Sequence, residues 1–143
     1  MESSKKVYVG MAADIIHKGH INILNVASSY GDVYVGLLSD EAIKSYKRNP
    51  IITYEDRYIV IESLRQVNNI IKQNTLDYTS NLLNIRPDFV VHADDWITGP
   101  QKKTRDKVIE ILKEWNGQVI DVPYTTGIST TSIINSIKSN NSI

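Results

Sequence analysis

The stretch MAADIIHKGH, residues 11–20, joins a short apolar run to a segment with helical spacing. The run that leads into it, residues 7–11, is rich in the β-branched and aromatic residues that favour strands. Beyond it, apolar residues from Ile21 to Ala27 recur near the period of a helix, and Gly31 ends the pattern. We therefore predict that the chain opens with a strand, a glycine-containing turn and a helix.

Outward from that junction, segments typical of strands and helices alternate along the whole chain. We predict strands over residues 7–11, 32–38, 67–72, 88–92 and 119–122. We predict helices over residues 18–30, 39–46, 53–64, 76–85 and 102–115, and a last one from a cap at 129 or 130 to 137. This alternation predicts an α/β, Rossmann-like fold: a five-stranded parallel sheet with helices on both faces, in a single domain over residues 1–143. Ligands of such sheets bind beyond the carboxyl ends of the strands.

The composition excludes several classes of protein function. The chain has 143 residues, with 16 Lys and Arg, 16 Asp and Glu, and no Cys. A chain of net charge zero lacks the positive field that attracts nucleic acids and anionic membranes, so we expect neither as a partner. The absence of cysteine excludes a disulfide framework and a thiol nucleophile, and it fits a reducing compartment. Since no apolar run approaches the roughly 20 residues of a spanning helix and no secretion signal is evident, we expect a soluble cytoplasmic protein.

Two histidines follow the first predicted strand. His17 and His20 are three residues apart, with Gly19 between them, at the start of the predicted helix. A helix N-terminus offers free N–H groups and the positive end of its dipole, which suit a phosphate, and glycine lets a ligand approach the backbone. The alternatives are a pair of surface histidines or a metal pair. A metal site needs a third ligand, and His92 is the only other histidine.

A second glycine-to-helix junction lies near the end of the chain. The segment GISTT, residues 127–131, places hydroxyl side chains before an apolar helix. This arrangement is another candidate phosphate cradle. Alone it is a weak signal, because Ser and Thr at this position are usually just helix caps.

Together, these two segments resemble the HxGH nucleotidyltransferase superfamily and, within it, the cytidylyltransferases. That family pairs H-x-G-H after the first strand with G-I-S-T-T at the last helix. The resemblance runs from about Lys6 to Ile137 and includes four more elements in order: Asp14, Tyr54-Glu55-Asp56-Arg57, Arg65 and Asp94-Asp95-Trp96.

Two subgroups of that family are similar to the chain to different degrees. Glycerol-3-phosphate cytidylyltransferases carry Arg and Glu before G-I-S-T-T, where this chain has Tyr124 and Thr126. Their acceptor-binding lysines fall at Tyr46 and Thr79. A closer resemblance is to the cytidylyltransferase domain associated with phosphoenolpyruvate mutase in phosphonate biosynthesis. It is carried by residues 9–20, 45–48, 75–78, 91–96, 113–117 and 123–125.

The resemblance implies transfer of CMP from CTP to a small anionic acceptor, a phosphonate or phosphoalcohol such as 2-hydroxyethylphosphonate, with release of pyrophosphate. It implies Mg²⁺ bound mainly by the substrate phosphates, and no metal site made by the protein alone. It also implies a homodimer, for which an apolar strand edge near Trp96 is a plausible contact surface. Three alternatives stay open: glycerol 3-phosphate or another phosphoalcohol as acceptor, an adenylyltransferase, and an inactive nucleotide-binding scaffold.

The resemblance also implies roles for individual residues. His17, His20 and Arg48 are expected to act on the phosphates in catalysis. Nucleotide binding is expected of those three and of Ala12, Ala13, Gly19, Gly127, Ile128, Ser129, Thr130 and Thr131. Contacts to the acceptor or to phosphate are expected of Tyr46, Lys47, Arg57 and Arg65. The basic residues in these sets could equally be solvated or form surface ion pairs.

Overall fold

The computed structural model describes residues 4–140. In chain order its elements are β1 (Lys6–Met11), α1 (Lys18–Tyr30), β2 (Asp32–Leu38), α2 (Asp40–Lys44), α3 (Tyr54–Glu62), β3 (Asn69–Gln73), α4 (Thr79–Ile85), β4 (Phe89–Ala93), α5 (Lys102–Leu112), β5 (Gln118–Val122) and α6 (Thr130–Asn140). Two 3₁₀ turns, Asp94–Trp96 and Lys113–Trp115, flank α5. Every predicted strand and helix is therefore present, with shifts at some of the ends.

As predicted, the five strands form one parallel sheet, and the structure gives their order as β3-β2-β1-β4-β5. The chain runs outward from β1 through β2 and β3, and it then returns to the other side of β1 to add β4 and β5. The order of the strands therefore switches between β1 and β4. These two strands pair only at Val7 with Phe89 and at Tyr8 with Val90, so their carboxyl ends are not paired to each other. This is the place where an open α/β sheet binds its ligand.

Helices cover both faces of the sheet and create two cores. On one face, side chains of β1 such as Val7 and Val9 pack with α1 and α3, where Leu24 and Ile61 are fully buried. On the other face, the core is formed by buried side chains of β1, β4, α4, α5 and the turn after β4: Tyr8, Tyr78, Leu82, Ile85, Val90, Trp96, Val108 and Leu112. Burial on both faces explains why the strands are apolar almost throughout rather than alternating.

Two of the shifted starts have a visible cause, in which a side chain competes with the regular backbone pattern. The third strand begins at Asn69 rather than at residue 67, because the Asn68 side chain accepts a hydrogen bond from the Val33 N–H (2.8 Å). The fourth helix begins at Thr79 rather than at residue 76, because the Asp77 carboxylate accepts a hydrogen bond from the Thr79 N–H (2.8 Å). Turns of this kind divert the chain from a helix until the polar side chain has been satisfied.

Trp96 does not form a contact surface for a second subunit. Its side chain is fully buried, and its indole N–H donates to the Asp121 carboxylate at 2.8 Å. The ring belongs to the core between β4 and α5, and the dimer contact at a strand edge near it stays a prediction. Among the described helices, none is long and apolar enough to cross a membrane.

Candidate active site

A cavity of about 290 Å³ opens at the carboxyl ends of β1 and β4, where the strand order switches. It collects residues from the turn after β1, the start of α1, the loop after α2, the turn after β4, and the segment that leads into α6. Of the site residues predicted from the sequence, those that line it are Ala12, His17, Gly19, His20, Tyr46, Lys47, Ile128, Ser129, Thr130 and Thr131. The two distant motifs are therefore brought together at one site.

The two histidines cap the start of α1 and fix each other. The backbone N–H of Gly19 donates to Nδ1 of His17 at 3.1 Å, and the backbone N–H of His17 donates to Nδ1 of His20 at 3.1 Å. Their rings lie 4.1 Å apart, centroid to centroid. Gly19 is required at this point, because a Cβ there would lie 2.8 Å from the His17 ring.

These hydrogen bonds determine which ring nitrogens can face a ligand. An Nδ1 atom that accepts a hydrogen bond carries no proton, so a neutral ring carries its proton on Nε2. Burial lowers the pKa of His17 below its ordinary value. Burial, together with the charges of His17 and Lys47, lowers the pKa of His20 to about 4. At neutral pH both rings are therefore neutral, and each offers an Nε2–H donor.

The start of α6 is a second site of free backbone donors. Ser129 and Ser132 form a reciprocal cap, in which each side-chain hydroxyl accepts the other residue's backbone N–H (3.0 and 2.9 Å). The expectation that Ser129 caps the helix is confirmed. Because this cap uses the N–H groups of residues 129 and 132, the N–H groups of Thr130 and Thr131 are left without a partner in the described chain. Such groups at a helix start suit phosphate oxygens.

Two side-chain bonds hold the start of α6 against the first motif. The Thr130 hydroxyl donates to the carbonyl oxygen of Ile15 at 3.3 Å. The Asn22 amide, on α1, donates to the Thr125 hydroxyl at 3.0 Å. Gly127 adopts a φ of +83°, a left-handed conformation that favours glycine. The turn before α6 is therefore shaped to bring two helix starts to the same cavity.

Asp14 anchors the loop over the cavity. Its carboxylate, almost fully buried, accepts hydrogen bonds from the backbone N–H groups of Ile51 (3.0 Å) and Ile52 (2.9 Å). The same carboxylate lies 3.1 Å from the Arg48 guanidinium, although without hydrogen-bond geometry. Arg48 therefore lies beside Asp14, and it is not among the residues that line the cavity.

Lys47 is the one Lys or Arg side chain among the described residues that line this cavity. Its ammonium lies 5.0 Å from the centre of the Tyr46 ring, within the range of a cation–π contact. Two basic residues after Trp96 pair elsewhere: Arg105 with Asp121 at 2.8 Å, and Lys102 with Asp106 at 2.8 Å. Neither of them therefore supplies to the cavity the positive charge of the arginine that glycerol-3-phosphate cytidylyltransferases have at the position of Tyr124.

Two predicted phosphate-binding arginines lie away from the cavity. Arg57 is buried, and it donates to the carbonyl oxygens of Ala12, Leu38 and Ile52 and to the Asp40 carboxylate, all within 2.9 Å. Its guanidinium therefore joins loops of the protein and is not available to a phosphate. Arg65 is exposed in the turn before β3, at the amino end of the sheet and opposite the cavity.

Two predicted nucleotide-binding residues shape the site without lining it. Ala13 has a left-handed backbone, with a φ of +54°, and its side chain is buried in the core against α1. Gly127 contributes its turn, as described above, rather than a surface of the cavity. Non-glycine residues in this conformation cluster at functional turns, where the surrounding structure holds them.

Among the residues that line the cavity, sequence reasoning missed five with polar side chains: His92, Asp95, Gln101, Tyr124 and Thr125. Most of them follow β4 or β5, so the rule that ligands bind at the carboxyl ends of strands would have selected them. The His92 ring stacks on Trp96, with 3.9 Å between ring centroids, and Nδ1 of His92 lies 2.7 Å from the carbonyl oxygen of Ala93. Asp94 orders this region, because its carboxylate accepts the Tyr124 N–H at 3.0 Å.

No group of three or more His, Cys, Asp or Glu side chains that could hold a metal ion occurs within residues 4–140. The donors in the cavity are instead ring N–H, backbone N–H, hydroxyl and ammonium groups. These groups suit the oxygens of phosphates rather than a metal ion.

Two helix starts with free donors meet at one cavity of a five-stranded parallel sheet, an arrangement that suits the phosphates of a nucleotide. Comparison with known families agrees: the chain belongs to the cytidylyltransferase-like family, which it matches over residues 8–136. It is 30% identical to a FAD synthase of Methanopyrus kandleri, over 79% of this chain and 74% of that protein.

Two further relatives are much longer than this chain. An ethanolamine-phosphate cytidylyltransferase of Dictyostelium discoideum is 30% identical over 90% of this chain, which spans 35% of that protein. The bifunctional protein HldE of Methylobacillus flagellatus is 29% identical over 96% of this chain, which spans 28% of that protein. The chain therefore spans about a third of each of these two relatives.

Solved structures share the fold. A lipopolysaccharide core biosynthesis protein of Thermoplasma volcanium superposes with a TM-score of 0.70 at 19% identity, over 86% of this chain and 98% of that one. A protein of unknown function from Archaeoglobus fulgidus superposes with a TM-score of 0.67 at 18% identity, over 87% of this chain and 93% of that one. At these identities the likeness supports the Rossmann-like fold alone.

Proposed function

We propose that this protein transfers CMP from CTP to a small phosphonate or phosphoalcohol, such as 2-hydroxyethylphosphonate, and releases pyrophosphate. The observation that carries the proposal is the meeting of two neutral histidines, the free N–H groups of Thr130 and Thr131, and Lys47 at one cavity. All of these groups donate hydrogen bonds. They therefore complement a triphosphate, which offers only acceptor oxygens.

The reaction needs alignment and charge stabilisation rather than a general base. An ionised oxygen of the acceptor's phosphonate or phosphate attacks the α-phosphorus of CTP, and a new P–O bond forms. The bond between that phosphorus and the bridging oxygen breaks, and pyrophosphate leaves with the electron pair. Since the attacking oxygen is already ionised at neutral pH, no side chain has to remove a proton. Both reactants are anions, so the main task is to offset their repulsion and hold them in line.

His17 and His20 supply donors that are already in place before the reaction. Their caps hold the rings, and the two Nε2–H groups donate to oxygens of the α-phosphate and of the leaving pyrophosphate as charge develops there. The N–H groups at the start of α6 hold the β- and γ-phosphates. A neutral imidazole suits this role, because its proton stays on the ring throughout.

We keep Arg48 as a phosphate contact that forms when the nucleotide binds. Its two terminal guanidinium nitrogens are buried and make no hydrogen bond within the described chain. Moving them from Asp14 to a phosphate oxygen would exchange one ion pair for another and would add the charge-assisted hydrogen bonds that the guanidinium lacks. Lys47, its neighbour, already lines the cavity.

The Mg²⁺ expected from the family resemblance would be carried by the nucleotide. When bound it would neutralise phosphate charge. Its ligands would be phosphate oxygens and water.

A panel of acceptors tests the proposal, with pyrophosphate release as the readout. Purified protein is mixed with CTP, Mg²⁺ and one of 2-hydroxyethylphosphonate, 2-aminoethylphosphonate, phosphoethanolamine or glycerol 3-phosphate. We expect acceptor-dependent pyrophosphate release, with kcat/KM higher for a phosphonate than for glycerol 3-phosphate. A tenfold preference for glycerol 3-phosphate would remove the phosphonate assignment, and no release with any acceptor would favour a nucleotide-binding scaffold.

A second candidate is an adenylyltransferase, favoured by the match to a FAD synthase over most of both chains. The groups that face the phosphates do not read the base. Running the same panel with ATP in place of CTP separates the two, because a cytidylyltransferase releases pyrophosphate from CTP and an adenylyltransferase from ATP.

We also propose a homodimer, although not through Trp96. The solvent side of α3 carries two exposed aliphatic side chains, Ile59 (60% exposed) and Val60 (44% exposed), which a subunit contact would cover. Light scattering at micromolar concentration should report a particle of about twice the chain's 16.2 kDa. A particle of the chain mass would contradict this proposal.

A further inference from the structure

A second cavity adjoins the one described above. Its volume is about 620 Å³, and it shares with the first cavity the end of β1, Tyr46, His92, Asp95 and Gln101. It then extends over the other face of the sheet, toward Gln73, Tyr78 and Thr104. We call it the side cavity. Its position places it beside the phosphate-facing groups, where a second substrate would have to lie.

The side cavity contains a tyrosine hydroxyl, that of Tyr78, without a hydrogen-bond partner in the described chain. The side chain is 7% exposed, and its ring packs between Tyr8 and Trp96, with ring centroids 5.5 and 6.0 Å away. No residue of the described chain forms a hydrogen bond with this hydroxyl. The hydroxyl oxygen is not sealed from solvent, so from the cavity a ligand or water can pair with it.

The neighbouring tyrosine shows what a purely structural hydroxyl does in the same core. The Tyr8 hydroxyl donates to the Gln73 side chain and accepts from the Asn81 amide at 3.1 Å. Both tyrosines lie in one buried cluster, yet only the hydroxyl at the cavity is left open. Gly10 makes the room for it, because a Cβ at that position would lie 2.5 Å from the Tyr78 hydroxyl.

The charges around the side cavity limit the class of compound that fits. Among the described residues that line it there is no Lys or Arg, and there is one carboxylate, Asp95. A second anionic group of an acceptor would therefore meet no cation and one negative charge. A hydroxyl or an amino group, in contrast, can pair with Tyr78, Asp95 or Thr104.

We propose, on the basis of the proposed function, that the side cavity holds the end of the acceptor opposite its phosphonate or phosphate. Tyr78 is the specificity-determining residue, and its hydroxyl forms a hydrogen bond with a hydroxyl or amino group there. Asp95 weakens the binding of acceptors that end in a carboxylate. Thr79, which stands where glycerol-3-phosphate cytidylyltransferases have an acceptor-binding lysine, is one residue away. Its hydroxyl and N–H both bond to Asp77 instead, outside both cavities.

The test combines one substitution with one missing substrate group. Dissociation constants are measured by calorimetry in the presence of α,β-methylene-CTP, which cannot release pyrophosphate. The ligands are 2-hydroxyethylphosphonate and ethylphosphonate, which lacks the terminal hydroxyl. The wild-type protein should bind the hydroxyl compound about 3- to 10-fold more tightly, which is the usual worth of one hydrogen bond. Tyr78→Phe should bind both phosphonates equally and the nucleotide analogue as before.

Tyr34→Phe is the matched control, because Tyr34 belongs to the same aromatic core but lies outside both cavities. It should keep the wild-type ratio. A Tyr78→Phe protein that keeps that ratio, or a wild-type protein without any preference for the hydroxyl compound, would overturn the inference.

A second measurement does not depend on the folding of Tyr78→Phe. Phosphonoacetate, which ends in a carboxylate, should bind the wild-type protein more weakly than 2-hydroxyethylphosphonate, and Asp95→Asn should reduce that difference. Equal differences in the two proteins would contradict the assigned role of Asp95.

Turnover is measured separately. Selective binding without pyrophosphate release from CTP would refute the proposed function and leave the Tyr78 contact standing. Turnover with an unchanged ratio in Tyr78→Phe would do the reverse.

Discussion

The rings of His17 and His20 lie 4.1 Å apart, and each Nδ1 accepts a backbone N–H from the start of α1. The same side chains thus serve as helix caps through one ring nitrogen and as candidate phosphate donors through the other. The two roles can be separated, because an Asn side chain places an oxygen near the position of Nδ1 and nothing at Nε2.

His17→Asn and His20→Asn should therefore lower kcat while largely preserving the fold. Losing one preorganised donor to the transition state typically costs about 10²–10³ in kcat. Retaining the cap should keep the loss of unfolding free energy below about 1 kcal/mol. The measurements are steady-state kinetics and chemical denaturation. Near-normal kcat in a folded variant would show that the histidine is only a cap.

The depressed pKa of His20 predicts a dependence of stability on pH. The folded-state pKa is about 4, below the value near 6.5 of an unfolded histidine. Between these values the unfolded chain binds more protons, so stability is full above about pH 6.5 and falls as the pH drops toward 4. At pH 5 this group accounts for a loss of about 2 kcal/mol. Denaturation at pH 7 and pH 5 should show a smaller loss in His20→Asn than in the wild type, and equal losses would contradict the assignment.

Asp14 should control the loop that carries Lys47 and Arg48. Asp14→Asn removes the charge beside Arg48 and weakens the bonds to Ile51 and Ile52. We expect a loss of about 1–3 kcal/mol of unfolding free energy and faster hydrogen exchange at those two amides. Asp106→Asn, which removes only an exposed ion pair with Lys102, is the control and should cost little. Unchanged exchange at the two amides in Asp14→Asn would refute the anchoring role.

Lys47→Gln should weaken nucleotide binding and leave stability unchanged. This lysine is the one Lys or Arg side chain among the described residues that line the first cavity. Because a charge-assisted hydrogen bond contributes about 1.5–3 kcal/mol, the dissociation constant for CTP should rise about 10- to 100-fold, and its dependence on salt should decrease. Lys44→Gln, an exposed lysine at the end of α2, is the control. Equal CTP affinities in both variants would show that Lys47 is solvated.

Arg57→Lys separates a structural arginine from a phosphate-binding one. Lysine keeps the charge but cannot reproduce the planar fork that reaches the carbonyls of Ala12, Leu38 and Ile52. Since the side chain is buried, we expect a loss of about 3 kcal/mol of stability. The KM for CTP in the folded protein should change little. A stable variant with a sharply raised KM would restore the phosphate role. Arg65→Lys, at an exposed turn, should change neither quantity.

The sequence allowed the sheet to be predicted because its signals are local. Apolar runs and glycine-containing turns mark β1 and α1 directly, and the alternation that follows predicts a parallel sheet with helices on both faces, although not the order of its strands. Ends shifted where a single side chain intervened, as at Asn68 and Asp77. The Asn68 bond depends on a residue of another strand, and the Asp77 bond depends on competition between a side chain and the helix backbone. The spacing of apolar residues indicates neither.

The candidate site likewise contains residues that local motifs predict and residues that only the folded structure shows. His17, Lys47 and Thr130 were predicted from motifs, and they line the cavity. Arg57 was expected to contact phosphate, but it donates to backbone carbonyls. The sequence around a charged residue at a helix start is the same whether its side chain faces solvent, a ligand or backbone carbonyls. Tyr78 was not selected, since nothing in its local pattern indicates that its hydroxyl lacks a partner. That fact appears only when Tyr8, Gly10 and Trp96 are assembled around it.

The central claim is the transfer of CMP to a phosphonate oxygen, and phosphorus NMR of the complete reaction tests it most directly. CTP, Mg²⁺ and 2-hydroxyethylphosphonate are incubated with the wild-type protein and, in parallel, with His17→Asn. The account predicts that one phosphonate and one phosphate signal become coupled to each other, as in an anhydride, while one equivalent of free pyrophosphate appears. These signals should be almost absent with His17→Asn. A spectrum in which the wild-type protein leaves CTP and the phosphonate unchanged, or forms the coupled pair only when ATP replaces CTP, would contradict it.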